Sequence, residues 1–346
     1  MPPKKILFRL DAYYKIGSGH FYRCFALAEK LKKFGMQISF LGFIESEKLI
    51  SKLKKVKIDF YNLDLSKEMT LDNANEYTPY SNKIQIENAI KTINLTNEYY
   101  DLIVIDSYKL DYIWEDQVSK ITNKIMVIDD LSNRRHHCNI LLDQTFGKKN
   151  DNYKSLVNTN CKLLVGEDFI ILRDEFISAK ATINNLNLKK NTALISFGGG
   201  KKELTYQACL ELSSINSIDN FVVVLGPLDS SSFFNPFMND SRFNFIKNTD
   251  NMGTLLANSS LVIGASGGST WERLFMGIPS FQIIISENQG EISKILDEQK
   301  YIKLINDLST LNFEVNKWIN GRTAFKIFPH IDGKGLTRVV KEIVSL

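Results

Sequence analysis

The sequence predicts an α/β protein made of two parallel-sheet domains that face each other across a cleft. Three observations carry this. Short apolar runs alternate with helical stretches through the first half, the order that builds a parallel sheet. A strand, a glycine loop and a helix open the chain, and the same succession returns after residue 191. At 346 residues the chain is also too long for one typical core, so two domains are the natural division.

The first strand is expected over residues 6–10. After it comes Gly17-Ser18-Gly19-His20, and then Phe21, Cys24, Phe25, Ala28 and Leu31 recur at helical spacing, so a helix begins near Gly19 with one face on the sheet. Gly17 and Gly19 let the backbone turn tightly and expose its N–H groups, where the helix dipole attracts anions, which suits a phosphate. An imidazolium is disfavoured at a helix N-terminus, so His20 is expected to stay neutral near pH 7 and to accept a proton. The competing reading is a histidine that only caps the helix.

Further strands are expected over 37–43, 58–63, 102–105, 125–128 and 140–142. The polar, irregular stretch 65–83 is long for a loop in a compact domain, which is more often functional than structural. Three of the strands run into Asp106, Asp129-Asp130 and Asp143. For Asp106, Asp129 and Asp143, helix capping and turn chemistry is the favoured reading. Tyr108 falls on the edge that carries His20, because ligands of open α/β sheets gather at the carboxyl ends of strands. His136-His137-Cys138 looks at first like metal chemistry. Adjacent residues of an extended segment point to opposite faces, however, and no second Cys/His pair follows at finger spacing, so a structural role or surface contact is expected. No Asp-x-Asp occurs to carry a divalent ion for diphosphate binding, and no metal is implied.

The stretch 184–191 is polar and without a core face, the best linker candidate, which gives domains 1–183 and 192–346. The second begins with a strand over 193–197, the loop Gly198-Gly199-Gly200 and a helix over 204–212. Residues 221–225 and 261–263 are strands of the buried type. The latter runs into Ala265-Ser266-Gly267-Gly268-Ser269-Thr270-Trp271-Glu272, where N–H groups can meet a diphosphate and Glu272 can accept from ribose hydroxyls. The plainer reading of Glu272 is an acidic first turn. A strand over 281–285 leads to Ser286-Glu287-Asn288-Gln289-Gly290, and a short helix running to Leu346 docks on the body as a terminal element.

Composition narrows the class. With 44% hydrophobic and 24% charged residues the chain is of ordinary globular type, and its net charge of +4 is spread over scattered lysines, which argues against a nucleic-acid patch. No apolar run is long enough to cross a bilayer. Cys24, Cys138, Cys161 and Cys209 form no C-x-x-C pair and the start shows no signal-peptide pattern, so a reducing cytoplasm is expected.

The two-domain plan resembles the GT-B glycosyltransferases, two Rossmann-type domains about a cleft. Within them it is similar to the lipid II-forming N-acetylglucosaminyltransferases, with Ser266-Gly267 and Glu272 where those enzymes hold UDP. Phe8-Arg9-Leu10-Asp11, Ile16-Gly17-Ser18-Gly19-His20 with Arg23, Ile105-Asp106-Ser107-Tyr108, His136-His137-Cys138, Leu172-Arg173-Asp174-Glu175-Phe176 and Asn288-Gln289 look more like the motifs of UDP-sugar hydrolases of pseudaminic acid biosynthesis, in the same order. That resemblance covers nearly the whole chain. It implies inverting, metal-free and cofactor-free hydrolysis of the anomeric C–O bond of a UDP-2,4-diacetamido-2,4,6-trideoxy hexose, with UDP as product. It makes His20 the base and puts Tyr108 and Asn288 at the sugar. The remaining expected substrate-binding residues are Gly17, Ser18, Gly19, Arg173, Gly198, Gly199, Gly200, Met252, Ser266, Ser269, Thr270, Glu272 and Gln289. The chain departs from the family at Gly198-Gly199-Gly200-Lys201, where Gly-Gly-Thr is expected, and at Ala12-Tyr13-Tyr14, which replaces a small polar run. Two alternatives stand beside it. One is a glycosyltransferase that passes the sugar to an acceptor. The other is a nicotinamide-dependent enzyme or nucleotide sensor with Glu45 on a ribose, against which Tyr22 stands where G-x-G-x-x-G needs its third glycine.

Overall fold

The structure is a computed structural model and describes residues 4–65, 75, 77–183, 191–198, 201–226, 231–247 and 249–346. The chain divides into two compact units, residues 1–171 with 334–346, and residues 172–333.

The first unit is built on seven strands, β1 (Lys5–Leu10), β2 (Gln37–Gly42), β3 (Asp59–Asn62), β4 (Leu102–Asp106), β5 (Ile125–Ile128), β6 (Ile140–Asp143) and β7 (Lys162–Val165). They pair in the order β3-β2-β1-β4-β5-β6-β7, every pair parallel. Helices α1 (Gly19–Lys33), α2 (Glu47–Lys55), α3 (Asn82–Thr96) and α4 (Tyr112–Val118) connect them. Both faces are covered, which is why the strands read as continuous apolar runs. Ile6, Phe8 and Leu10 of β1 join Phe21, Cys24, Phe25, Ala28 and Leu31 of α1 in one core, while Leu7 joins Ile103, Ile105 and Trp114 on the other face. Each large apolar side chain so buried contributes roughly 1.5–3 kcal/mol.

The second unit has six parallel strands, β8 (Thr192–Ser196), β9 (Asn220–Leu225), β10 (Phe243–Lys247), β11 (Leu261–Ala265), β12 (Ser280–Ile283) and β13 (Lys303–Leu304), in the order β10-β9-β8-β11-β12-β13. Its helices are α5 (Asp174–Ile183), α6 (Lys202–Ser213), α7 (Met252–Ala257), α8 (Ser269–Met276), α9 (Gly290–Glu298) and α10 (Leu311–Ile319). Gly264 in β11 has to be glycine, because a Cβ there would lie 2.1 Å from the Ser196 carbonyl oxygen and 2.7 Å from the Arg273 guanidinium. Both units are thus parallel-sheet Rossmann-like α/β domains. In each, strand order reverses at one place, between β1 and β4 and between β8 and β11, where ligands of such sheets bind.

The division does not fall at the polar stretch 184–191, of which 184–190 lie outside the described residues. It falls at 171/172, because α5 packs on α7 and α8 of the second unit. The last helix, α11 (Gly335–Val344), belongs to the first unit rather than the second, burying Leu336, Val339, Val340 and Ile343 in the core beside α1. Among the described residues no helix is long and apolar enough to cross a membrane.

Candidate active site

In the first unit the switch point holds a tightly paired set of charged groups. The loop after β1 closes through Gly17, whose φ of +76° only glycine adopts without strain, and α1 starts at Gly19. Ser18 occupies the N-cap position, so His20 is not the cap. Its ring turns to β4 instead, with Nδ1 2.6 Å from Asp106 Oδ1. Arg23, one turn further along α1, forks onto the same carboxylate with Nε at 2.9 Å and Nη2 at 2.7 Å, and Cys24 Sγ lies 3.4 Å from it. Burial opposes the charge on Asp106, but Arg23 and His20 outweigh it and hold the carboxyl well below the usual carboxylate range. An ionised carboxylate only accepts, so Nδ1 of His20 carries the hydrogen and Nε2 is the nitrogen left to take a proton. That is the arrangement of a base oriented by a carboxylate.

Tyr108, just past β4, stands edge-on to His20 with ring centroids 4.9 Å apart. Its hydroxyl donates to Asp130 Oδ1 at 2.7 Å, and Arg23 Nη1 lies 3.6 Å from Asp130 Oδ2. Burial and the neighbouring Asp130 push the Tyr108 phenol well above its ordinary value, so it acts as a donor and not a base. Behind this set, the Tyr153 hydroxyl lies 2.9 Å from Asp143 Oδ2 and 3.1 Å from Asp129 Oδ2, and Arg134 Nη1 is 2.7 Å from Asp129 Oδ1. Burial raises the Asp143 carboxyl to about 7.

Turn chemistry holds for Asp129 and Asp143, which accept from the N–H groups of Ser132 at 3.0 Å and Thr145 at 2.8 Å. For Asp106 it does not, since that carboxylate serves His20 and Arg23. Two further motifs find acidic partners of their own. His136 is buried with Nδ1 2.7 Å from Glu115 Oε1, whereas His137 is exposed beside Asp116. Arg9 is buried and donates to Asp11 Oδ1 at 2.7 Å. Glu45, weighed as a ribose ligand, accepts from the Tyr14 N–H at 2.7 Å.

In the second unit the switch point is a glycine-containing loop that opens a helix. Gly198 follows β8; Gly199 and Gly200 lie outside the described residues. After β11 the chain runs through Ser266, Gly267 and Gly268 into α8. Ser266 is buried and its Oγ has no hydrogen-bond partner among the described residues. Arg273 lies beneath, donating to the Ala265 carbonyl at 3.0 Å and to Ser269 Oγ at 2.8 Å, its pKa lowered by burial to about 10. Thr270 is buried and donates to Gln282 at 2.8 Å. Glu272, raised by burial against the pull of Arg173, is paired with Arg173 Nη2 at 3.1 Å. Arg173 also meets Glu175 at 2.5 Å, and Glu175 accepts from the Gly253 N–H at 3.1 Å, next to Met252 at the start of α7. Gln289 Oε1 accepts from the Ile285 N–H at 3.0 Å and shapes the loop that exposes Asn288. Arg173 and Glu272, each expected at the substrate, therefore hold one another, and Ser269 and Thr270 have hydroxyls already engaged.

Asp130, Arg134, Asp143 and Tyr153 were not among the expected site residues, and Arg23 entered only as part of a motif. The i, i+3 spacing of His20 and Arg23, and acidic residues ending three neighbouring strands, are the signals that point to them.

Fold and site together define a two-domain protein of GT-B-like architecture, with a cluster of paired charged side chains at one switch point and a glycine loop at the other. No family model matches the chain. Among curated proteins, it is 26% identical over 301 residues to the UDP-2,4-diacetamido-2,4,6-trideoxy-beta-L-altropyranose hydrolase of Campylobacter jejuni, spanning 86% of this chain and 97% of that one. It is also 26% identical over 297 residues to an uncharacterized protein of Methanocaldococcus jannaschii, spanning 83% of this chain but only 57% of that longer relative. Among solved structures, Acinetobacter baumannii MurG superposes with a TM-score of 0.62 at 13% identity, over 99% of this chain and 100% of that one. The UDP-GlcNAc 2-epimerase of Neisseria meningitidis bound to UDP-GlcNAc gives 0.62 at 11%, with the same coverage. These structural likenesses establish the fold.

Proposed function

We propose that this chain is a UDP-sugar hydrolase, cleaving the anomeric C–O bond of a UDP-2,4-diacetamido-2,4,6-trideoxy hexose with inversion to release UDP and the free sugar. The observation that carries the reading is His20 held by Asp106 through Nδ1, which leaves Nε2 to take the proton of an attacking water. Such a base contributes about 10²- to 10⁴-fold. The second unit holds the UDP, with the diphosphate on the N–H groups and Ser266 hydroxyl of the loop before α8, and the ribose on Glu272. The dipole and N–H groups stabilise the leaving diphosphate, which needs no metal in this scheme. The relative named as such a hydrolase, alike along 97% of its length, supports the sugar class. The four free cysteines suit work in the cytoplasm.

The test is purified protein with the UDP-sugar, a chelator and no acceptor. UDP release supports the reading. Release only on adding an acceptor makes the chain a transferase, and release only with a divalent ion overturns the metal-free scheme. A thermal shift with NAD and none with UDP would point to the nicotinamide class.

A further inference from the structure

Five groups at the first switch point close into a ring. His20 donates to Asp106, Asp106 is gripped by Arg23, Arg23 reaches Asp130, Asp130 accepts from Tyr108, and Tyr108 stands against His20. Three elements supply them. His20 and Arg23 share one face of α1, Asp106 and Tyr108 come from the end of β4, and Asp130 follows β5. Arg23 is the one member that touches both carboxylates, and neither His20 nor Tyr108 touches the carboxylate of the other in this ring.

We infer that Arg23 is a positioning residue that sets His20 and Tyr108 relative to each other, through Asp106 on one side and Asp130 on the other. The inference rests on the reading of His20 as the base. The guanidinium is planar and presents its donors in a fixed fork, so gripping Asp106 through Nε and Nη2 dictates where Nη1 points, and with it the side of Asp130 that remains for Tyr108. A lysine supplies the same charge from a single point and fixes neither carboxylate by angle. The contacts Arg23 makes are thus a geometric link between base and phenol in addition to charge balance. Misplacement of a reacting group by an ångström costs on the order of 100-fold in rate, so the link is expected in turnover and not in nucleotide affinity.

The test is a double-mutant cycle in kcat for UDP release, with the melting curve of every protein reporting the fold of the unit that carries Arg23 and UDP affinity reporting the other. Arg23→Lys is expected to lose roughly ten- to hundredfold in kcat with UDP affinity retained. Asp130→Asn, a change at a partly exposed side chain, is expected to lose less, and the double variant to lose little more than Arg23→Lys alone, because the link is already broken. The pH profile of Arg23→Lys is expected to change shape, which a residue that only packs would leave alone. Losses that multiply independently, or an Arg23→Lys enzyme with wild-type kcat and pH profile, overturn the inference. If Arg23→Lys no longer binds UDP, Asp106→Asn with Asp130→Asn forms the cycle, and additivity there overturns it equally. His20→Asn in the same assay separates the two levels. If it turns over normally, the reading of the base fails. If it is inactive while the Arg23 cycle is additive, only the link fails.

Discussion

The two switch points occupy the same place in two similar sheets and are furnished in opposite ways. At β1/β4 the charged groups around His20 hold one another: Asp106 alone takes two contacts from Arg23 and one each from His20 and Cys24. At β8/β11 the charges lie beneath the loop, with Arg273 on Ala265 and Ser269 and Arg173 on Glu272, while the loop itself offers backbone and the Ser266 hydroxyl, which has no partner among the described residues. The first arrangement orients side chains against one another, and the second presents the N-terminal end of a helix, the feature to which the proposed diphosphate site is assigned. A Rossmann-like frame therefore does not decide its chemistry; the residues at the reversal of strand order do.

Substitution at His20 separates the two points most sharply. His20→Asn is expected to lower kcat by about 10²- to 10⁴-fold while UDP affinity, assigned to the other unit, stays near wild type by calorimetry. Equal losses in both would mean that the units do not divide the work.

The acidic edge behind the first switch point sets the next largest effect. Burial keeps Asp143 protonated in the folded chain up to about pH 7, while the unfolded chain gives up that proton near the ordinary carboxylate value. Between those values the folded state holds more protons. This contribution to stability is therefore complete below about pH 4 and falls as pH rises to about 7, at about 1.4 kcal/mol for each pH unit crossed. Denaturant melts across that range should show a slope that Asp143→Asn flattens; an unchanged slope refutes the assignment.

At the second switch point the effects are smaller and fall on binding. Glu272→Ala should weaken UDP binding by about 1–3 kcal/mol, the range for a charge-assisted hydrogen bond. Unchanged affinity in a folded protein returns Glu272 to a structural partner of Arg173. The smallest expected effect has two signs. Ser266→Ala removes a buried hydroxyl that has no partner among the described residues, so it should raise the melting temperature of the free protein while costing about 1 kcal/mol of UDP affinity. A variant changed in the same direction on both counts breaks the contrast.

Much of this was legible in the sequence, and the rest was hidden for identifiable reasons. The long buried strands and α1 read clearly because both sheet faces are covered and the helix shows its period. The strands β7, β10 and β13 were missed, being short, alternating or two residues long, where apolar runs give no signal. The loop at Gly17–His20 stood out from its glycines, but its partner Asp106 is 86 residues away and looked like an ordinary turn aspartate. Polarity alone points to a domain boundary at 184–191, whereas packing of α5 puts it at 171/172. Composition marks where a chain is polar, and contacts decide where a domain ends.

The helix α11 gives the chain a history as well as a shape. The core that it completes contains Phe21, Leu27 and Leu31 of α1, yet 162 residues of the second unit, 172–333, are made before it. At about 5–20 residues per second, the first unit waits roughly ten to thirty seconds on the ribosome with that flank of α1 uncovered. The second unit is contiguous in sequence. The first unit's core is thus completed by a segment that the chain supplies only after the whole of the second unit.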